Sequence, residues 1–324
     1  MCTRFLWSSE GSPGAGTVLV GRSMDWSDDT ATVLAVRPRG VRRESTPNTP
    51  GDPHPFTWTS AYGSVVALMY GQAVVDGVNE AGFQVSGLYL SESDYGERDG
   101  DRPGLELYWA IQCLLDRFGT VAAAVEWLEN DNVQLIEMDL GDKPGTGHIA
   151  VADPSGDSAV IEFIDGKTNI HHGPEFTVMA NSPVYDEQLK LQEQYPAGGG
   201  TQPLPGGVES PDRFARAAYF SAMLPNTSDP REATAYAFSV IRNASAPFGT
   251  PDEAQRPEVS TTRWRTVTDL TQRRYFFEST TSPNVVWIEL SQLDFAPGSP
   301  ELVLDLVAEP DRVGNVTGEF VPVQ

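Results

Sequence analysis

Met1-Cys2-Thr3-Arg4-Phe5, followed further on by Gly21-Arg22-Ser23-Met24-Asp25-Trp26, is the stretch on which the reading of this chain turns. Aminopeptidases remove an initiator Met when the next residue is small, and Cys is small, so the mature chain is expected to begin at Cys2. One residue then carries both a thiol, with a reference pKa of about 8.5, and an α-amine, with one of about 7.7–8.0. Near neutral pH the amine can take the thiol proton, a recognised way to activate a nucleophile without a histidine. On position alone, an incidental small residue at a frayed terminus accounts for Cys2 just as well.

The neighbouring charges weigh against that. Thr17-Val18-Leu19-Val20 reads as a short apolar strand ending at Gly21, where charged residues begin. If Cys2-Thr3-Arg4-Phe5-Leu6-Trp7 lies beside it, joined through the turn-rich segment from Ser8 to Gly14, then Arg22 and Asp25 return close to Cys2. An arginine there favours the thiolate, and an aspartate can hold and orient the amine. A surface ion pair at a strand end would explain the charges but not Cys2.

The 324 residues suffice for one sizeable domain, taken as residues 2–324 with 292–324 as an added edge strand or tail. A formal charge of −23 and a pI near 4.4 argue against nucleic acid and anionic membrane surfaces as partners. No apolar run approaches the roughly 20 residues of a membrane span, and no basic-then-apolar leader is expected before Cys2. Cys2 and Cys113 alone make no disulfide framework, so a reducing cytoplasm is the expected compartment.

Further along, Ala31 to Val36 and Ser64 to Tyr70 read as strands. Asp76-Gly77-Val78-Asn79-Glu80-Ala81-Gly82-Phe83 reads as a turn, with Gln84 to Leu90 as the returning strand. Leu105 to Leu115 has helical spacing and places Cys113 on an apolar face, as a packed thiol; Thr120 is an N-cap for a helix from Val121 to Leu128. His148-Ile149-Ala150-Val151-Ala152-Asp153 and Ser158 to Phe163 form a hairpin pattern in which His148 has no evident partner. His171 and His172, adjacent on a strand, point to opposite faces, so no metal site is expected.

Phe176 to Ala180 runs as a strand into Asn181-Ser182-Pro183, where Asn181 is either a turn former or a neutral donor for an oxyanion. The Gly- and Pro-rich stretch from Ala197 to Gly207 precedes Ser210-Pro211-Asp212, which opens a helix with Ser210 as N-cap. Arg213 falls in that helix's first turn, where a cation opposes the dipole, so another group should hold it. A further helix is expected from Asp229-Pro230, and closing strands at Thr261 to Asp269, Arg274 to Glu278 and Asn284 to Leu290.

Met-Cys-Thr at the start, Gly-Arg-x-Met-Asp after it, the Asn79-Glu80 turn, the 148–163 hairpin, Asn181 and the Arg213-Phe214 pair together resemble the choloylglycine hydrolase family of N-terminal-nucleophile amidases. The resemblance runs at least to Trp287. It implies an α+β fold, a four-layer αββα sandwich of two antiparallel sheets between helix layers. It also implies amide hydrolysis without metal or organic cofactor on a small-molecule amide substrate. Cys2 would be the nucleophile, Asp25 its orienting group, and Arg22 and Arg213 the positive charges. Asn181 and the Tyr89 backbone N–H would hold the oxyanion.

Within the family, Tyr at position 89, where bile salt hydrolases commonly carry Asn, resembles some penicillin V acylases. Trp26 resembles a Gram-negative subgroup that also cleaves N-acyl homoserine lactones. An aromatic wall of Trp26 and Tyr89 suits a phenoxy ring or apolar acyl chain, although Trp26 as plain packing is the competing reading. Conjugated bile salt hydrolysis is the alternative activity, and an inactive acyl-compound binder the alternative of another class. A homo-oligomer, tetramer or dimer, is expected, with the interval from Asn181 to Arg213 shorter than in typical bile salt hydrolases.

Overall fold

The structure, a computed structural model, describes residues 1–9, 16–45, 54–130, 132–139, 144–197, 199–200, 202–249 and 260–323. Parts of the expected turn at 8–14, of the loop at 40–55 and of the Gly- and Pro-rich stretch at 197–207 lie outside the described residues. The chain runs from β1 (Cys2–Ser8) and β2 (Val18–Asp25) into β3 (Val33–Arg37), β4 (Ser64–Met69), β5 (Ala73–Asn79) and β6 (Gln84–Leu88). Helices α1 (Leu107–Arg117) and α2 (Val121–Glu129) follow, then β7 (His148–Ala152), β8 (Ser158–Ile164), β9 (Lys167–His172) and β10 (Val178–Met179). Helices α3 (Tyr185–Gln194), α4 (Ser210–Ala222) and α5 (Pro230–Asn243) lead to β11 (Thr262–Asp269), β12 (Arg274–Ser279), β13 (Val286–Glu289) and β14 (Leu302–Asp305). The short strands β15 (Gly314–Asn315) and β16 (Val321–Pro322) close the chain.

These strands form two large sheets. The first has the order β10-β1-β2-β11-β12-β13-β15 and the second β9-β8-β7-β6-β5-β4-β3-β14-β16. All pairs are antiparallel except β13 with β15. Helices α4 and α5 pack on the outer face of the first sheet, and α1 and α2 on that of the second. This is the α+β, αββα sandwich that the resemblance implies. Among the described residues no helix is long and apolar enough to cross a membrane.

Alternation along the strands builds the layers. In β4, Val65, Ala67 and Met69 join the core between the sheets, while Val66 and Leu68 join Ile111, Leu114 and Leu115 of α1. Both faces are covered, so the strand reads as an unbroken apolar run. Each of those α1 side chains is at most 1% exposed, and burial of one such side chain is worth about 1.5–3 kcal/mol. Thr120 caps α2 by accepting from the Ala123 N–H, and Asp229 caps α5 by accepting from the Arg231 N–H.

Two expectations need correction here. Asp76 is not in a turn: β5 continues to Asn79, and the turn spans Asn79 to Phe83, where the Asn79 side chain accepts from the Ala81 and Phe83 N–H groups. Buried polar donors allow a carboxylate to sit in mid-strand there. Ser210 is the first residue of α4 rather than its N-cap, which is Glu209; its hydroxyl is engaged by the Asn181 N–H instead. Of the two readings of the C-terminal segment, added strand or tail, the added strand is the one that forms: β14 pairs with β3 in one sheet while β15 pairs with β13 in the other.

Gly21 in β2 lies opposite Phe5 in β1, whose ring fills the space a Cβ at Gly21 would take. Gly21→Val is expected to lower stability by about 1–3 kcal/mol, the usual cost of overpacking, read as a lowered urea midpoint with unchanged m-value.

Candidate active site

The ladder between β1 and β2 sets Cys2 opposite Met24 and Arg4 opposite Arg22. Side chains alternate along each strand, so the ladder sorts the residues near the N-terminus into two groups. Cys2, Arg22 and Met24 line a cleft together. Thr3 and Asp25 fall on the opposite face, where Arg213 of α4 meets both. Cys2 is 2% exposed, and Arg22, Asp25 and Arg213 are wholly buried.

On the helix side, Arg213 Nη1 lies 3.3 Å from Asp25 Oδ2 and donates to the Cys2 carbonyl at 2.5 Å and to Thr3 Oγ1. Its Nη2 donates to Asn181 Oδ1 at 2.9 Å, and its Nε to the Val208 carbonyl at 2.9 Å. These acceptors answer the question raised by a cation at a helix N-terminus. Burial pushes the Arg213 guanidinium below its ordinary pKa, and the Asp25 carboxylate opposes that. Thr262 Oγ1 donates to Asp25 Oδ1 at 2.6 Å.

Asn181 meets the chain start directly, since its Oδ1 accepts from the Cys2 N–H as well as from Arg213. Its Nδ2 donates to the Tyr89 carbonyl at 2.6 Å. An amide NH2 carries two hydrogens, so one remains for a further acceptor. Gln188 of α3 grips the backbone on both sides of Asn181, accepting from the Ala180 N–H at 3.0 Å and donating to the carbonyls of Asn181 at 2.6 Å and Pro183 at 2.7 Å. Asn181 is thereby fixed by side chains of two helices.

On the cleft side, Arg22 Nη2 donates to the Gly87 carbonyl at 2.7 Å and lies 3.8 Å from Cys2 Sγ and 3.6 Å from Met24 Sδ. The thiol is 3.5 Å from Met24 Sδ. Trp26, Tyr89, Tyr108, Met69, Val75 and Ile111 complete a narrow cleft of about 390 Å³ including its open mouth. The Trp26 and Tyr89 rings meet edge to face, with centroids 6.4 Å apart, and Trp26 Nε1 donates to the Tyr70 hydroxyl at 2.9 Å.

Met1 is present and 6% exposed, and its amine donates to the Asp25 carbonyl. Burial pushes that amine below its ordinary pKa. With Met1 attached, the Cys2 nitrogen is an amide and has no lone pair available for a proton.

The structure therefore brings Cys2, Arg22, Asp25, Trp26, Tyr89, Asn181 and Arg213 to one place. Sequence reasoning missed Met24, Thr262, Gln188 and Tyr108. Met24 was reachable from the strand register, but the others come from distant segments with no local motif. Cys113 stands apart in the α1 core, its thiol pushed up to about 12 by burial. His148, read as lacking a partner, has one: Nδ1 lies 3.0 Å from Glu162 Oε1, and Glu162 also accepts from the Tyr185 N–H that begins α3. His171 pairs with Asp186 and His172 with Asp157, on separate sides of β9.

Comparison with known proteins shows the family and the fold. Residues 2–305 match the family described as linear amide C–N hydrolases, choloylglycine hydrolase family. Penicillin V acylase from Pectobacterium atrosepticum is 38% identical over 100% of this chain and 90% of its own. Bile salt hydrolase/transferase from Bifidobacterium longum is 25% identical over 71% of this chain and 76% of its own. The solved structure of penicillin V acylase from Agrobacterium tumefaciens has a TM-score of 0.89 at 40% identity, covering 100% of this chain and 98% of that one. That of a mutant conjugated bile acid hydrolase from Clostridium perfringens, with a TM-score of 0.74 at 21% identity over 92% of this chain and 95% of its own, speaks to fold alone.

The fold is that of the N-terminal-nucleophile hydrolases. The chain belongs to the choloylglycine hydrolase family, and it is a linear amide C–N hydrolase.

Arg213→Met would leave Asp25 buried without its cation. It is expected to cost about 3–5 kcal/mol in urea denaturation, and combining it with Asp25→Asn should cost less than the sum of the two single changes.

Proposed function

We propose that, once Met1 is removed, Cys2 hydrolyses the amide bond of penicillin V or of N-acyl homoserine lactones. The observation that carries this reading is the convergence of Arg22, Asp25, Asn181 and Arg213 on the residue that becomes the N-terminus. Loss of Met1 turns the Cys2 nitrogen from an amide into an amine and vacates buried space at the chain start.

The free α-amine takes the thiol proton, and the thiolate attacks the substrate carbonyl carbon. The second hydrogen of Asn181 Nδ2 and the Tyr89 N–H receive the oxyanion. The C–N bond breaks as the ammonium returns its proton to the departing amine, leaving a thioester on Cys2. Water, deprotonated by the same amine, attacks the thioester and releases the acid and the thiol. Asp25 orients the amine, while Arg22 and Arg213 offset the charge on sulfur. None of these steps calls on a metal or organic cofactor.

Substrate choice rests on the aromatic mouth. Trp26 and Tyr89 form an aromatic corner, ring edge to ring face, in the cleft that holds the thiol, which suits a phenoxy ring or straight acyl chain better than a rigid, face-hydroxylated steroid. The 38% identity to a penicillin V acylase against 25% to a bile salt hydrolase/transferase supports the same order.

The test is primary-amine release from penicillin V, a series of acyl homoserine lactones, and glycine- and taurine-conjugated bile salts, on protein shown by intact mass to lack Met1. Cleavage of the first two classes is expected, with Cys2→Ala inert. Dominant bile salt cleavage would overturn the substrate choice but keep the mechanism. No release from any of them would favour a protein that only binds acyl compounds. Trp26→Ala is expected to raise KM for penicillin V by about tenfold with kcat less affected, as loss of an aromatic contact made in ground and transition states alike.

A further inference from the structure

Asp76 lies in the middle of β5, wholly buried between the sheets. Its Oδ1 accepts from Gln84 Nε2 at 2.9 Å and Ser86 Oγ at 2.7 Å, both on β6. Its Oδ2 accepts from the Tyr275 hydroxyl at 2.7 Å, on β12, and from Thr266 Oγ1 at 3.1 Å, on β11. One carboxylate thus ties the second sheet to the first.

The same Oδ1 lies 4.0 Å from Arg22 Nε. Arg22 is held besides by the Gly87 carbonyl and by the Trp264 ring, whose centroid is 4.7 Å from the guanidinium carbon. Its Nε and Nη1 make no hydrogen bond among the described residues. A single buried guanidinium therefore stands between a carboxylate on one side and the Cys2 sulfur, 3.8 Å from Nη2, on the other. Between two fully buried groups, charge drawn toward one anion is less available to the other.

We infer that Asp76 is a positioning residue that anchors Arg22 and sets the pH at which the Cys2 thiol becomes reactive. The inference rests on the reading of Cys2 as the nucleophile. Asp76 touches no substrate and acts only through Arg22. Its four neutral donors and Arg22 stabilise the carboxylate against the burial that pushes its pKa up. Tyr275 stays a donor, since burial and the adjacent carboxylate hold its phenol well above the ordinary value. Other titratable groups near this set are Arg4 on β1, Tyr108 on α1 and the chain's own amine, with Asp25 and Arg213 behind β2 on its other face. Of these, Arg4 also feels the charge at 76, which opposes the lowering of its pKa by burial.

The experiment is the rate of Cys2 alkylation by iodoacetamide from pH 5 to 10, on protein lacking Met1, with Cys2→Ala subtracted for Cys113. Asp76→Asn removes the competing charge and is expected to move the rate midpoint toward acid by about one pH unit. Hydrolysis should respond in kcat more than in KM. Tyr275→Phe keeps the charge at 76 but strips one donor from it, and should move the midpoint toward alkali. A midpoint in folded Asp76→Asn that stays put or moves toward alkali would overturn the inference. Should Asp76→Asn fail to fold, an unmoved midpoint in Tyr275→Phe would overturn it instead. If the parent protein shows no alkylation specific to Cys2, the nucleophile reading itself falls, and the inference with it.

Discussion

Residues facing one another across an antiparallel ladder lie about 4.5–5.5 Å apart, with successive side chains on opposite faces. The ladder that puts Cys2 against Met24 therefore does more than join two strands. It points Cys2 and Arg22 into the cleft and turns Thr3 and Asp25 toward Arg213 of α4. A slip of one residue would exchange those faces and separate the thiol from its cation. Gly21 guards against such a slip, because the Phe5 ring fits only over a residue without a side chain.

Buried charge is the second constraint. Arg4, Arg22 and Arg213 are each fully buried, against Asp25 and Asp76. Three cations less two carboxylates leave one positive charge within this group. Charges taken out of water cost more than their attraction returns unless hydrogen bonds complete them. Arg4 donates through its two Nη atoms to Ser158 Oγ and the Thr177 and Val151 carbonyls while its Nε has no partner among the described residues, Arg213 meets five acceptors, and Asp76 meets four donors.

Much of this was legible in the order of residues. The apolar runs and turn residues marked β1, β2, β4, β6 and the hairpin of β7 and β8, and caps at Thr120 and Asp229 marked two helices. The family resemblance, rather than periodicity, selected the four-layer arrangement. What stayed hidden depends on contacts between distant segments. Asp76 reads as a turn residue because a carboxylate in mid-strand makes sense only once Tyr275 and Thr266 are known to face it. Ser210 reads as a cap because nothing nearby reveals that Asn181 will claim its hydroxyl. The partner of His148 lies on the next strand of the hairpin, yet which face each carries depends on a register that the turn alone does not state.

The place of β1 in its sheet also bears on how the protein is made. Its neighbours are β2 on one side and β10 on the other, and β2 is closed in turn by β11, which leaves the ribosome late. Met1, 6% exposed once those strands are in place, is then out of reach of a peptidase that needs an extended terminus. The proposed function needs Met1 gone, and its burial means that such removal would have to precede the closing of the sheet.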